Sequence, residues 1–482
     1  MKKAFVDSID EMTSKNVSFL IIKNAIPTII TMMITSIYNT ADTFFVSQLG
    51  TSASGAVGVI FSLMTIIQAG AFMIGMGSGS ITSRLLGSGD KKNASIYCST
   101  AIVFSFCVGI VFSIAGIIFS DSIVKALGAT PTIFPYAKDY AHYIILACPF
   151  MVSSLVMNNQ LRFQGRSAFS MIGMVTGGIL NIILDPIFIF AFDLGISGAA
   201  IATFISQVVS FLILLSMFIF KKSSVEFSLK NISTKFSTYF NIITTGLPSL
   251  FRQGMASISG IFMNIFAAKY GQIFFEGGFL PFTKGLSFEN ISPLMCADAA
   301  VAGMSIANRI SMLLLSVAIG LGQGFQPVCG INLGAKKYDR VKSAFSFLVK
   351  ITTIIMTVFG VLVFIFSNKI AQSFRDDALV ISMASGAMKY QACVLPLLSI
   401  IFGTNMLLQV AGVKKSAIFL SSLRQGLVFV PVILLLPLIL KNFGFAPLLG
   451  IQLTPAVSDI ISAFITIPFL IKFLNSLGKE KV

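Results

Sequence analysis

Twelve apolar stretches dominate this 482-residue sequence, near 18–47, 55–81, 94–119, 139–162, 167–192, 195–220, 238–268, 299–326, 343–367, 388–411, 416–440 and 448–472. A helix needs about 20 mainly apolar residues to cross a bilayer. In hydrocarbon, only helices and closed barrels satisfy every backbone N–H and C=O internally. Runs this long predict helices. The expected fold class is therefore an all-α integral membrane protein, with twelve transmembrane helices in two six-helix bundles. Charged residues make up only 11% of the chain. A soluble domain carries roughly a quarter, so the lipid bilayer is the solvent that fits.

The basic residues order these helices in space. Twelve spans place both termini on one side. That side receives 23 of the 34 Lys and Arg residues, the other side eight, and Arg252, Arg309 and Arg424 fall inside spans. The positive-inside rule then puts both termini in the cytoplasm of a multi-pass protein of the cell membrane. The net charge of +16 follows topology, and no nucleic-acid partner is expected. No cleavable signal peptide is expected either, because Lys2, Lys3, Asp7, Asp10, Glu11 and Lys15 leave no apolar core before Phe19. With no Trp in the chain, Phe and Tyr must supply the interfacial belts.

Enzymatic chemistry finds little purchase. The six cysteines form no C-x-x-C pair and read as free thiols packed among apolar neighbours. His142 is the only histidine, so neither a His cluster nor an H-E-x-x-H site can form. No P-loop is present, which removes ATP as a direct energy source. The chain is expected not to be an enzyme and to need no cofactor.

The sequence repeats itself after about 245 residues. Pro27 and Pro248 each open a span. Gly77-Ser78-Gly79 before Leu86-Gly87 corresponds to Gly322-Gln323-Gly324 before Leu333-Gly334. Cys148-Pro149, Asn158 and Gly165 match Leu395-Pro396, Asn405 and Gly412 at a constant offset of 247. Six spans per half make the repeats parallel, related by an axis along the membrane normal. The expected lobes are residues 1–225 and 226–482, the second with an extracellular insertion at 271–296. Two such bundles can rock about a shared cleft, which favours a transporter over a passive channel.

Intramembrane charge locates the chemistry. A carboxylate inside a span costs about 2.5–3.5 kcal/mol on insertion scales. Asp42 lies about five residues, ~7 Å, inside the outer end of the first span. Asp185 lies about seven residues, ~10 Å, inside the outer end of the fifth. Asn181 sits one turn before Asp185 on the same face. Thr203 lies about eight residues, ~12 Å, into the sixth span. These four share a level in the first bundle and are the expected cation-coupling site. Its oxygens would hold a transported H⁺, or serve as metal ligands for Na⁺. Pro186 is expected to break the ladder of the fifth span beside it. The bland alternative is a structural hydrogen-bonded pair. In the second bundle, Arg252, Arg309 and Arg424 are expected to snorkel, cap loops or pair with Asp459. Cleft-facing candidates for substrate are Tyr38, Asn39, Gln68, Asn158 and Gln160 in the first half. Their second-half counterparts are Arg252, Gln253, Asn264, Asn405 and Gln409. Some of the 47 Phe and 21 Met residues would line an adaptable apolar cavity.

The sequence resembles the MATE (multidrug and toxic compound extrusion) family, in the style of its MepA-like branch. The resemblance is carried by Asn39-Thr40-Ala41-Asp42-Thr43-Phe44-Phe45-Val46-Ser47-Gln48-Leu49-Gly50, by Arg84-Leu85-Leu86-Gly87-Ser88-Gly89, and by Asn181-Ile182-Ile183-Leu184-Asp185-Pro186. Gly195-Ile196-Ser197-Gly198-Ala199-Ala200-Ile201-Ala202-Thr203, Gln425-Gly426 and Pro431 add to it. It implies two six-helix lobes in a V and export of drugs or toxic organic compounds, amphipathic or cationic, by antiport with H⁺ or Na⁺. It also implies a monomer, and a cation site at the same Asp42, Asn181, Asp185 and Thr203. The alternative within the same superfamily is a flippase for a lipid-linked saccharide, which would be expected to carry a more cationic cleft.

Overall fold

A computed structural model describes residues 9–276 and 292–479, and among these residues every regular element is helical. After a short helix at 9–14, the long helices of the first half are α1 (Val17–Ser47), α2 (Thr51–Gly87), α3 (Lys91–Ile118), α4 (Phe134–Phe163), α5 (Ser167–Ala191) and α6 (Gly195–Ile219). In the second half follow α7 (Phe236–Glu276), then α8 (Pro293–Gly334), α9 (Tyr338–Phe374), α10 (Ala378–Ala411), α11 (Lys414–Asn442) and α12 (Pro447–Ser476). All but α7 are long and apolar enough to cross a membrane, eleven helices among the described residues. Helix α7 takes the place of the seventh expected span and is 41 residues long. It falls outside that set because Arg252, Gln253 and Asn264 interrupt its apolar sequence. Of the expected insertion 271–296, Gly271–Glu276 complete α7 and Pro293–Cys296 begin α8. Residues 277–291 lie outside the described residues.

Sequence chemistry explains where the helices start and stop. The Asn16 side chain accepts from the Ser18 N–H at the head of α1. Asp90 accepts from the Asn93 N–H at 3.0 Å to cap α3. Asp377 accepts from the Leu379 and Val380 N–H groups to cap α10. Each cap satisfies amides that the first turn leaves without an intrahelical acceptor.

Repeat-related positions behave alike. Gly165 and Gly412, between α4 and α5 and between α10 and α11, both take positive φ, 74° and 81°. A side chain there would be strained. Before each turn an asparagine bridges to the following helix: Asn158 Nδ2 donates to the Ser170 carbonyl at 3.1 Å, and Asn405 Nδ2 to the Ala417 carbonyl at 3.0 Å. Helices α4 and α10 are also the interior ones. Their apolar windows are 72% and 78% buried, against 28–39% for the other nine. The outer helices instead leave Val111, Ile114, Phe364, Ile365 and Phe464 uncovered, as a lipid-facing surface requires.

Contacts divide the chain into two compact units. One comprises Met1–Leu250, Gly320–Ala344 and Leu407–Lys414; the other comprises Phe251–Ile319, Phe345–Met406 and Lys415–Val482. The expected boundary at 225/226 divides the sequence repeat, and the units cut the packed chain at different places. Within the first unit, the ends of α2 and α8 cross on glycines. A Cβ on Gly87 would lie 1.9 Å from the Ile331 carbonyl oxygen, and one on Gly334 1.9 Å from that of Arg84.

Candidate functional site

Helices α1, α4, α5 and α6 of the first unit bring a set of polar side chains into an apolar interior. Asn181 Nδ2 donates to Asp185 Oδ1 at 3.1 Å and lies 3.2 Å from Thr203 Oγ1. The Tyr140 hydroxyl donates to Asp42 Oδ2 at 3.0 Å and also interacts with Thr203. Tyr140 thus ties the Asp42 end of the cluster to the Asn181–Asp185–Thr203 end. All five residues are buried, with Asp185 at 0% and Asp42 at 8% exposure. Asp42 Oδ1, Asp185 Oδ2 and Asn181 Oδ1 have no hydrogen-bond partner. Among the described residues, no Lys or Arg forms an ion pair with either carboxylate. Three acceptor oxygens therefore remain with no donor, in a place where an unpaired charge is costly.

Local sequence explains the convergence. The one-turn spacing of Asn181 and Asp185 puts both on the inward face of α5. Gly177 and Gly178, one turn earlier, let two neighbours approach. A Cβ on Gly177 would meet Ser210 Cβ at 2.9 Å and the Ser206 carbonyl at 3.1 Å on α6. A Cβ on Gly178 would meet Ile34 Cγ2 at 2.9 Å and Tyr38 Cδ1 at 3.3 Å on α1. Immediately past Pro186 the ladder of α5 changes from α to π over Ile187–Ala191, and Pro186 itself cannot donate to the turn before it. A cavity of about 20 Å³ adjoins the cluster, lined by Tyr38, Asn181, Thr203 and Ser206 among others. That is about the space of one water molecule.

The second unit holds a different arrangement. Asp459 on α12 accepts from Arg424 of α11 at both oxygens, with Arg424 Nη2 3.3 Å from Oδ2. Of the three intramembrane arginines, Arg424 is the one that pairs with Asp459. Asn264, Arg309, Arg424 and Asp459 line a cavity of about 350 Å³.

Residues 27–187 and 291–435 match the MatE family. The chain belongs to the MatE family. It is 26% identical over 410 residues to the multidrug export protein MepA of Staphylococcus saprophyticus, covering 85% of each chain. It is 25% identical to the MepA of Staphylococcus haemolyticus, covering 95% of this chain and 94% of that one. Among solved structures it resembles a MOP superfamily transporter from Pyrococcus furiosus (TM-score 0.86, 25% identity, 97% of this chain and 98% of that one). It resembles a MATE crystal structure with the same TM-score and identity over 97% and 99% of the two chains. The multi-pass membrane fold expected from the sequence is thus that of MATE transporters.

Within the MatE match fall Asp42, Tyr140, Asn181 and Asp185, whereas Thr203 lies outside it. Sequence reasoning missed Tyr140. With α4 expected to begin near 139, Tyr140 reads as an interfacial belt residue; the helix begins at Phe134, more than a turn earlier, so the phenol sits inside the bundle. The other MatE cleft candidates divide. Gln160 Nε2 donates to Ser78 Oγ at 2.8 Å, and Gln409 Nε2 to Ser249 Oγ at 2.8 Å. Asn158 and Asn405 hold the helix-to-helix bonds given above. Tyr38, Asn39, Gln68, Arg252 and Gln253 are half-buried, and Asn264 is exposed.

Proposed function

We propose that this MatE protein is an antiporter that exports small amphipathic or cationic organic compounds across the cell membrane by alternating access, driven by H⁺ or Na⁺. Both termini would be cytoplasmic. The observation that carries this reading is the buried pair Asp42 and Asp185, with two carboxylate oxygens and one amide oxygen unpartnered and, among the described residues, no basic side chain paired to them. Two acids in low dielectric are unstable without a compensating positive charge. A proton or a sodium ion supplies it, and either suits hard oxygen donors. Asn181 and Thr203 would orient Asp185, and Tyr140 would hold Asp42. The ion is cargo here, and no resident cofactor is needed. Its binding and release would switch the cluster between neutral and charged states, which is what a coupling site requires. The kinship with multidrug export proteins supports the substrate class.

The test is ethidium efflux from proteoliposomes under an imposed proton gradient and, separately, a sodium gradient. One of the two gradients should drive wild-type efflux, and Asp185→Asn should abolish it while inserting normally. Coupled efflux by Asp185→Asn at the wild-type rate would refute the site.

A further inference from the structure

The cavity of the second unit has a polarity opposite to that of the acid cluster. Its volume is about 350 Å³, and its wall carries the charged residues Arg309, Arg424 and Asp459. Arg424 and Asp459 neutralise each other. Arg309 is exposed and makes no hydrogen bond or ion pair among the described residues. The lining is therefore left with one uncompensated positive charge, ten residues inside an apolar stretch. A guanidinium at such a depth is costly and marks a site.

Further observations point to a ligand. Gln391 Nε2 and Ser458 Oγ belong to residues lining this cavity, are more than nine-tenths buried, and have no partner. Arg252 Nη1 is likewise buried without a partner. Arg252 lies one turn before Ala256, a lining residue on the same face of α7. Unpartnered groups able to donate thus stand at the cavity and one turn from it. Beside polar residues such as Asn264 and Asn308, the lining has an apolar, adaptable part: Met263, Met312, Leu315 and Phe429. The π turn Leu423–Leu427 places Arg424 and Gln425 on the same wall, and such turns recur at functional sites.

The geometry points to a subsite in the second unit that binds the carboxylate of a small amphipathic organic anion, with Arg309 as the anion-recognising residue. The guanidinium offers a planar fork that fits a carboxylate with two parallel bonds. Gln391 and Ser458 would complete its hydrogen bonding, and the Met and Leu side chains would cover its apolar body. This inference deepens the transport reading by extending the substrate class from cations to carboxylates, and it rests on that reading for its role in export.

Binding can be tested apart from transport. The probe is tritiated 1-naphthylacetate, ionised at pH 7, bound to the purified full-length protein in a scintillation-proximity format. The neutral isostere 1-naphthylacetamide is the competitor. The wild type should bind the acid saturably, and the amide should compete at least tenfold more weakly. Arg309→Gln should weaken acid binding at least tenfold, and Arg309→Lys, which keeps the charge without the planar fork, should recover only part of it. An amide that competes as well as the acid would overturn the subsite, even if every variant failed to fold. Absence of saturable acid binding, or wild-type affinity in Arg309→Gln, would do the same. Loss of ethidium efflux in Asp185→Asn beside wild-type acid binding in Arg309→Gln would leave the coupling site standing and remove this one.

Discussion

The two halves of this transporter use one scaffold for opposite electrostatics. Helices α5 and α11 are repeat-related, and each has a π turn, though Ile187–Ala191 and Leu423–Leu427 are not equivalent positions of the repeat. Beside the first stand Asp42 and Asp185, with unsatisfied oxygens and no basic partner among the described residues. At the second stands Arg424, already neutralised by Asp459. Duplication thus preserved the architecture, including the turn glycines and the Asn158 and Asn405 bridges, while the charges diverged. A paired charge holds a fold together. An unpaired acid in an apolar interior waits for a mobile cation. In the proposed antiporter, coupling therefore belongs to the first bundle.

Breaking the paired side should have the largest effect on stability. Arg424→Gln leaves Asp459 charged and buried, and should destabilise the protein by about 3–5 kcal/mol, read as thermal unfolding in detergent. The double variant Arg424→Met/Asp459→Leu should recover most of that loss, since replacing a buried pair by apolar groups is often close to neutral. A single variant as stable as wild type would contradict the contrast. Next comes the packing beneath the acid cluster. Gly177→Val would force α5 from α6 at a cost of about 1–3 kcal/mol, and efflux should fall because Asn181 and Thr203 separate. The smallest effect sharpens the role of the missed residue. Tyr140→Phe removes the donor to Asp42, a bond worth about 1.5–3 kcal/mol when the acceptor is charged. It should shift the ion dependence of efflux by roughly tenfold, whereas a purely structural role would move unfolding alone.

Much of this was legible in the sequence. Length and hydropathy mark the spans, because backbone satisfaction in lipid leaves few alternatives. Asp42, Asn181, Asp185 and Thr203 stand out by depth, since 1.5 Å per residue turns position into height. The structure joins Asn181, Asp185 and Thr203 by side-chain contacts. Asp42 reaches them through Tyr140. That link was hidden because a tyrosine near a span's end has an ordinary interfacial reading, and the start of α4 was placed five residues too late. Which arginine pairs with Asp459 was also open. Depth gives height but not rotation about the helix, and rotation decides that Arg424 meets Asp459 while Arg309 lines the cavity.

The most direct test of where coupling resides follows the ion. Proteoliposomes preloaded with a pH-sensitive dye, or placed in ²²Na⁺, are given ethidium on one side only, and ion movement in the opposite direction is recorded. Wild type and Arg309→Gln should both move one of these ions in response to ethidium, while Asp42→Asn and Asp185→Asn should move neither. Ethidium-driven ion movement that survives in both aspartate variants would contradict the account.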